Sequence, residues 1–506
     1  MNGNELSDSG VFIAEGIPGY PADELFGPSI SYPEYPFGQE GLGPSAPCNG
    51  VYDAVRQLLR SMHMDARRFG TREWNPFCAS VRRGGTVVVK PSWVWHYETG
   101  AGLDGPLGVI ITHTSLLRAL IDYVSIAVGP SGRVVVADSP IQSTDIGSIL
   151  RNAGVDRLAQ FYQGRGVPLE IVDLRAYVTI VDSMGRIVRR QSLQSDPAGC
   201  QTIDLKFDSA LTPLDQTSTV RYRAPDHDST LTSSSHGRGM HVYSIPKTIL
   251  GADLIINVPK LKTHRRAGLT AAMKNLVGMN SEKALLPHFR AGPPDTGGDE
   301  YSAPNLVLWL RSRLKGRIDF LPNPILSAAR TSARWIAGAA RLVRKSKSMD
   351  PYATCGGAWY GNDTLWRMIV DLNYLLMHTD QTGRLCPEPQ RRWLSIVDAV
   401  VAGQGDGPLS PDPLPLGKLI AGWNEVEVDA TCARLLGLDW RKLKYLAEGY
   451  PRLFERSDLD ELTVQTSQGK LLALKELAPG SCSVPEGWAG HVELTTTRTP
   501  GTQSKQ

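Results

Sequence analysis

Four runs of β-branched and aliphatic residues constrain the fold of this chain more than any other feature. They are TVVVK (Thr86–Lys90), RVVVAD (Arg133–Asp138), LIINV (Leu254–Val258) and LSIVDAVV (Leu394–Val401). A strand that is apolar on consecutive residues, not on alternate ones, is covered on both faces, which is the situation inside a parallel sheet. Helical periodicity lies between and around the runs. Val51, Val55, Leu58, Leu59 and Met62 recur at core spacing within Val51–Arg68, and further helices are predicted over Ser115–Val128, Ser143–Ala153, Asp363–Met377 and Glu425–Leu436. With another strand at Leu169–Leu174, the alternation predicts an α/β fold of mostly parallel sheets flanked by helices.

A chain of 506 residues exceeds one average domain, so two lobes with a cleft between them are expected, plus two inserts. The division is an N-terminal arm and helix (1–83), an α/β core (84–176 and 236–294) and a hydroxyl-rich hairpin insert (177–235). A basic helical insert (295–350), a second α/β part (351–460) and a Thr/Ser/Gly/Pro-rich tail (461–506) complete it. Pro, Gly and aromatic residues crowd Ile17–Pro47, which favours an extended arm over a helix. The tail composition predicts disorder.

Acidic and basic side chains nearly cancel to a formal charge of +3, so no global field draws the chain to nucleic acid. The seven cysteines are scattered singly, without CxxC pairs, which argues against an iron–sulfur or zinc cluster and against a disulfide framework. No basic-then-apolar leader and no membrane-spanning run is legible, and a cytoplasmic location is expected. The segment Ile325–Lys347 sets Ile325, Leu326, Trp335 and Ile336 against Arg330, Arg334, Arg341 and Lys345. Such a helix can make peripheral contact with an anionic membrane, or serve as a lid or interface helix.

Candidate chemistry concentrates between Asp253 and His288. The strand Leu254–Val258 leads into a loop bearing Lys260, Lys262, His264, Arg265 and Arg266 within seven residues, and Gly268 opens the next helix near Leu269. Cations at a strand end and helix start form an anion trap for a carboxylate or phosphate. Lys90, at the end of an earlier strand, joins this set. Lys274, surrounded by cations, would have a lowered pKa and serve as base or nucleophile, with His264 and His288 as proton carriers. The plainer alternative is that Lys274 closes a helix end and His288 packs in a loop. Asp398, Gln404, Gly405 and Gly407 lie where a strand gives way to a glycine-rich loop, whose amides could approach a ligand or simply turn. His113, before a helix, could join His264 and His288 as a three-histidine transition-metal site, or be a neighbour of the helix cap. Hydrolase elbows, P-loops and a placed GxGxxG are absent from the sequence.

Taken in order, VVVKPS, ITHTS, VVVADSP, ADLIINVPKLKTH, MKNLVG, IVDAVVAGQGDGPL and EVDATCARLLG resemble the domain-of-unknown-function 362 (DUF362) family from about Gly84 to Gly437. Many members of that family carry a ferredoxin-like module, whose cysteine pattern this chain lacks. A fainter likeness is to the nickel-pincer lactate racemases: His264, Gly268 and Lys274 keep the spacing that in that family holds the cofactor. Ala271 and Ala272 depart from its paired glycines. That likeness implies a nickel-pincer nucleotide on Lys274 and isomerase-like proton or hydride transfer. The leading expectation is an enzyme acting on an anionic small molecule. The alternatives are a non-catalytic anion- or lipid-headgroup-binding protein, or a redox partner of an iron–sulfur protein.

Overall fold

In the computed structural model, the four apolar runs become the centre of one eleven-stranded sheet. The structure describes residues 10–495 apart from 23–24, 46–47, 98–106, 182–186, 217–220, 226–228, 307, 311, 313–353, 450–452 and 454–457. The basic segment Ile325–Lys347 therefore lies outside the described residues.

The sheet strands in chain order are β1 (Val11–Ala14), β2 (Thr86–Pro91), β3 (Arg133–Asp138), β4 (Leu169–Asp173), β5 (Leu254–Val258) and β6 (Lys260–His264). They continue as β7 (Gly268–Thr270), β8 (Arg392–Asp406), β9 (Ser410–Gly422), β10 (Thr463–Thr466) and β11 (Leu471–Ala473). Across the sheet they run β11-β10-β1-β9-β8-β5-β2-β3-β4, with β6 pairing to β7 and β8. The contiguous strands β8, β5, β2, β3 and β4 are all parallel.

Both faces of this parallel block are buried, as its unbroken apolar runs require. Val88, Val135, Ile255 and Val397 point into one core, shared with α5 (Leu365–His378) and α6 (Glu425–Leu435). Val87, Val89, Val134, Val136, Leu254 and Ile256 point into the other. That second core is closed by α1 (Gly50–Ser61), α2 (Thr114–Val128) and α4 (Val155–Gln163), with α3 (Ile146–Asn152) beside α4.

Chain direction across the sheet reverses at β2. The connection through α2 carries the chain from β2 to β3 on one side, whereas β5 lies against the opposite edge of β2 and leads on to β8. A crevice beyond the carboxyl ends of strands at such a switch point is where open α/β sheets place ligands.

Three expectations are corrected. The cationic stretch after Pro259 is not a loop: Lys260–His264 is a strand, paired to β8 and folded back on β7. The glycine-rich stretch Gly403–Pro415 is likewise mostly strand, because β8 and β9 form one long hairpin from Ser395/Gly422 to Asp406/Ser410. Part of the presumed disordered tail also belongs to the main sheet, since β10 adds in parallel to β1 and β11 pairs with β10.

The N-terminal arm is pinned to the body by a buried charge network. The fully buried Arg118 guanidinium donates to Asp122 (3.0 Å), to the Leu25 carbonyl (3.2 Å) and to the Tyr35 hydroxyl (2.8 Å). Asp122 also accepts from Tyr52 (3.0 Å) and Tyr162. Removing one member of a buried pair strands the other charge, a loss of about 3–5 kcal/mol. Arg118→Met is therefore expected to lower unfolding free energy by about 3–5 kcal/mol and to expose the arm to chymotrypsin at Tyr20, Tyr32, Tyr35 and Phe37. The arm holds no Lys or Arg before Arg56, so trypsin would not report on it. Equal resistance of variant and wild type would show that the arm is held by other means.

Candidate functional site

Two buried lysine–carboxylate pairs stand at the switch point. Lys90 ends β2, and its Nζ lies 2.8 Å from Asp138 at the end of β3. It also donates to the Pro91 carbonyl (2.6 Å) and to Asn275 Oδ1 (3.2 Å). Asp138 is saturated further by the backbone N–H groups of Trp93 (2.7 Å) and Ser139 (2.7 Å). An ammonium and a carboxylate out of water persist only when so compensated.

The pair fixes its surroundings. Asn275 donates to the Lys90 carbonyl and to Asn257 (2.8 Å), and Asn257 donates to the Ala272 carbonyl (2.9 Å), which ties the short helix Ala272–Asn275 to β2 and β5. Asp429 on α6 holds the start of that helix, accepting from the amides of Ala272 (2.5 Å) and Met273 (3.2 Å). Gly278 has to be glycine: a Cβ there would stand 2.2 Å from Asp138 Oδ1 and 2.7 Å from Lys90 Nζ.

The second pair joins Lys260 to Asp398 at 3.3 Å. Tyr20, delivered by the N-terminal arm, donates to Asp398 (2.6 Å) and accepts from Lys260. The backbone amide of His113 donates to the other Asp398 oxygen (2.9 Å), and the His113 ring stacks on Tyr20 at 3.9 Å. Lys260 and Asp398 are thus engaged with each other and capped by Tyr20. His113 caps α2 itself, its Nδ1 accepting from the Ser115 amide at 3.2 Å. Burial, then Lys260, push its imidazole down to about 4 against the pull of Asp398.

Beside these pairs lie cations that no carboxylate neutralises directly. Lys262 is buried and donates to the Ile110 carbonyl; its pKa is held well below that of a free lysine by burial first, then by Lys260 and Lys274. Lys283, 9% exposed, donates to the Val277 carbonyl at 3.4 Å. Burial, then Lys90, Lys274 and Arg175, bring it down to about 7 against the opposing pull of Asp138. Lys274 is half-buried and, among the described residues, has neither a hydrogen-bond nor an ion-pair partner. Burial, then Arg266 and Lys90, lower it to about 8.

The two histidines of the segment carry opposite tautomers. His264 Nδ1 accepts from the backbone amides of Arg266 (3.0 Å) and Ala267 (3.1 Å), so the proton of the neutral ring resides on Nε2. Burial, then Lys274 and Arg266, keep this ring neutral. His288 Nδ1 faces the Leu286 carbonyl at 2.7 Å and must donate, which makes its Nε2 the acceptor nitrogen.

Several expected residues fall elsewhere. Arg265 is part-exposed and pairs with Asp406 at 3.0 Å. Gln404 accepts from the Ser483 amide, the Gly405 amide donates to the Ser483 carbonyl, and the Gly407 amide donates to Gly405. These amides do not form an open cradle. His113 does not join His264 and His288: among the described residues no three His, Cys, Asp or Glu side chains converge as a metal-ligand set. Sequence reasoning missed Lys283, Asn257 and Gly278 as parts of the site, and Tyr20. The motif MKNLVG carried Asn275 and Gly278 in plain view.

Geometry thus defines an α/β protein with a cluster of buried and half-buried lysines at the switch point of its sheet. The chain belongs to the family described as Domain of unknown function (DUF362), whose family model matches residues 175–434, just over half of its length. That match covers Lys260 to Lys283 and Asp398 to Gly407, and begins beyond Lys90 and Asp138. No curated protein matches the sequence. Among solved structures, a crystal structure of a protein from Thermotoga maritima is similar at 10% identity and a TM-score of 0.31. The alignment covers 80% of this chain and 59% of that one.

Lys283 supplies a sign-specific test. Its folded-state pKa of about 7 lies below the ordinary 10.5, so its charge destabilises the fold fully below pH 7, by on the order of 5 kcal/mol. The penalty fades as pH rises from 7 toward 10.5. Lys283→Met is expected to raise the Tm of the ligand-free protein, and to raise it more at pH 6 than at pH 9. A lower Tm at both pH values would show that Lys283 supports the fold.

Proposed function

We propose that this chain is an enzyme that binds an anionic small molecule in the switch-point crevice and moves a proton at it. The observation that carries this reading is Lys274: an ammonium without a side-chain partner among the described residues, half-buried among other cations, with its pKa lowered to about 8. A cation left unsatisfied inside a protein is costly to the fold and is kept where a ligand completes it.

The opposite tautomers of His264 and His288 favour catalysis over simple binding. The neutral His264 presents Nε2–H and can donate a hydrogen bond to a developing oxyanion, and in His288 Nε2 is the ring nitrogen that can take up a proton. Lys274, near its midpoint at pH 8, can hold the anion in its charged form or abstract a proton in its neutral one. Proton transfer at a carbon bearing a hydroxyl beside a carboxylate or phosphate is the reaction these groups fit, and isomerisation is its simplest outcome. The described residues do not fit the three-histidine metal site, and no step is assigned to a metal.

The test is solvent deuterium exchange. Full-length protein is incubated in D2O with a panel of hydroxy acids and sugar acids, free and phosphorylated, and loss of carbon-bound protons is followed by NMR. Wild type is expected to exchange one class of substrate. Lys274→Ala and His288→Ala should slow that exchange by about 10²-fold or more while retaining the wild-type circular dichroism. Exchange at the wild-type rate in both folded variants would exclude these residues from the chemistry and favour a non-catalytic anion-binding protein.

A further inference from the structure

We propose that the anion taken by this site is a phosphoryl dianion on a small molecule, not a lone carboxylate; this rests on the anion-site reading above. The argument is one of charge balance inside a poorly solvated space. Lys260 and Asp398 neutralise each other under Tyr20 and leave the count. Lys90 and Lys274 lie within electrostatic reach of each other and of both Lys262 and Lys283, and Asp138 is the carboxylate that acts on Lys90, Lys262 and Lys283. With all four protonated, the state an entering anion favours, four cations less one anion leave three. A carboxylate would balance one of these and leave two lysines to shed their protons, whereas a phosphate ester balances two and a diphosphate three. Stranded charges of one sign repel most strongly where water is excluded.

Donor chemistry points the same way. Planar carboxylates are matched by the fork of arginine, and tetrahedral phosphoryl oxygens accept point charges from several directions, which lysines supply. Nearby arginines are engaged with the protein. Arg175 pairs with Asp173 at 2.7 Å and donates to the Ile141 and Thr144 carbonyls. Arg265 pairs with Asp406, and Arg266 Nε donates to the Gly356 carbonyl at 2.7 Å. The start of the short helix Ala272–Asn275 is occupied by Asp429, so the lysine side chains, and not helix amides, are the donors left for the ligand.

Thermal unfolding of the full chain at fixed ionic strength tests this, with inorganic phosphate, diphosphate, acetate and succinate as probes, in wild type, Lys274→Met and Lys283→Met. Both substitutions remove an unbalanced cation, so the variants fold. The expected result is a rise in wild-type Tm of about 4 °C or more with phosphate or diphosphate at saturating millimolar concentration. Acetate should shift it little, and both variants should lose most of the phosphate effect. Acetate or succinate matching diphosphate, with the shift lost in the variants, would overturn the phosphoryl assignment and leave the anion site standing. No shift with any anion, or a phosphate shift retained in both variants, would overturn the site itself.

Discussion

The desolvation of lysines at the carboxyl end of a parallel sheet is the constraint from which the rest of this structure follows. Parallel strands are buried on both faces, so a side chain at their ends emerges into protein and not into bulk water. Lys90 is 1% exposed and Lys260 is fully buried, and each is tolerated there because a carboxylate from the neighbouring strand stands within 3.3 Å. The demands of the Lys90–Asp138 pair propagate outward. It takes amides from Trp93 and Ser139, and excludes any side chain at residue 278. Through Asn275 and Asn257 it fixes the short helix that carries Lys274.

The two pairs are covered differently. Over Lys260–Asp398 the N-terminal arm lays Tyr20, whose hydroxyl bonds both members and whose ring covers His113. Burial and Asp398 together hold that phenol firmly protonated, so it stays a donor to the carboxylate. This pair is closed off by the protein's own groups. Over Lys90–Asp138, among the described residues, the arm lays no side chain, and Lys262, Lys274 and Lys283 add charge with no carboxylate at ion-pair distance. The arm, anchored by Arg118 through the Leu25 carbonyl and Tyr35, thereby decides which lysines are left for a ligand.

Much of the scaffold was legible because its signal is local. The apolar runs at 133–138 and 254–258 gave strands with those bounds, and the helices beginning near 51, 115 and 425 begin at 50, 114 and 425. The cationic segment was legible too, since Lys262, His264 and Lys274 announce themselves by type and spacing. What was not legible depends on contacts distant in sequence. Gly405 and Gly407 look like a ligand loop, yet their amides meet Ser483 and the Gly405 carbonyl. Lys260–His264 looks like a polar loop, and only pairing to β8 and β7 makes it a strand. Asp398 looks like a ligand contact, but its partners lie 138 residues back at Lys260 and in an arm whose composition predicts irregularity. Lys283 escaped notice because nothing in its neighbourhood of sequence tells that Asp138 will be near.

An electrostatic imbalance of this kind sets fold and function against each other. Burial lowers the pKa of Lys274 to about 8 and of Lys283 to about 7, and each added cation lowers the others further. In the ligand-free chain the cluster can relax by releasing a proton from a lysine. A bound dianion reverses that preference, raises the lysine pKa values and draws protons in. Ligand binding and lysine protonation are then linked, each strengthening the other. His264 is kept neutral by burial and by the very cations that the ligand neutralises, while the Leu286 carbonyl fixes the tautomer of His288. Neutralising the lysines with an anion removes the repulsion that disfavours a charged His264, so a ring that in the free site only donates a hydrogen bond becomes able to carry a proton once the site is filled. A ligand that balances the charge therefore does more than occupy the site, because it prepares the histidines for proton transfer.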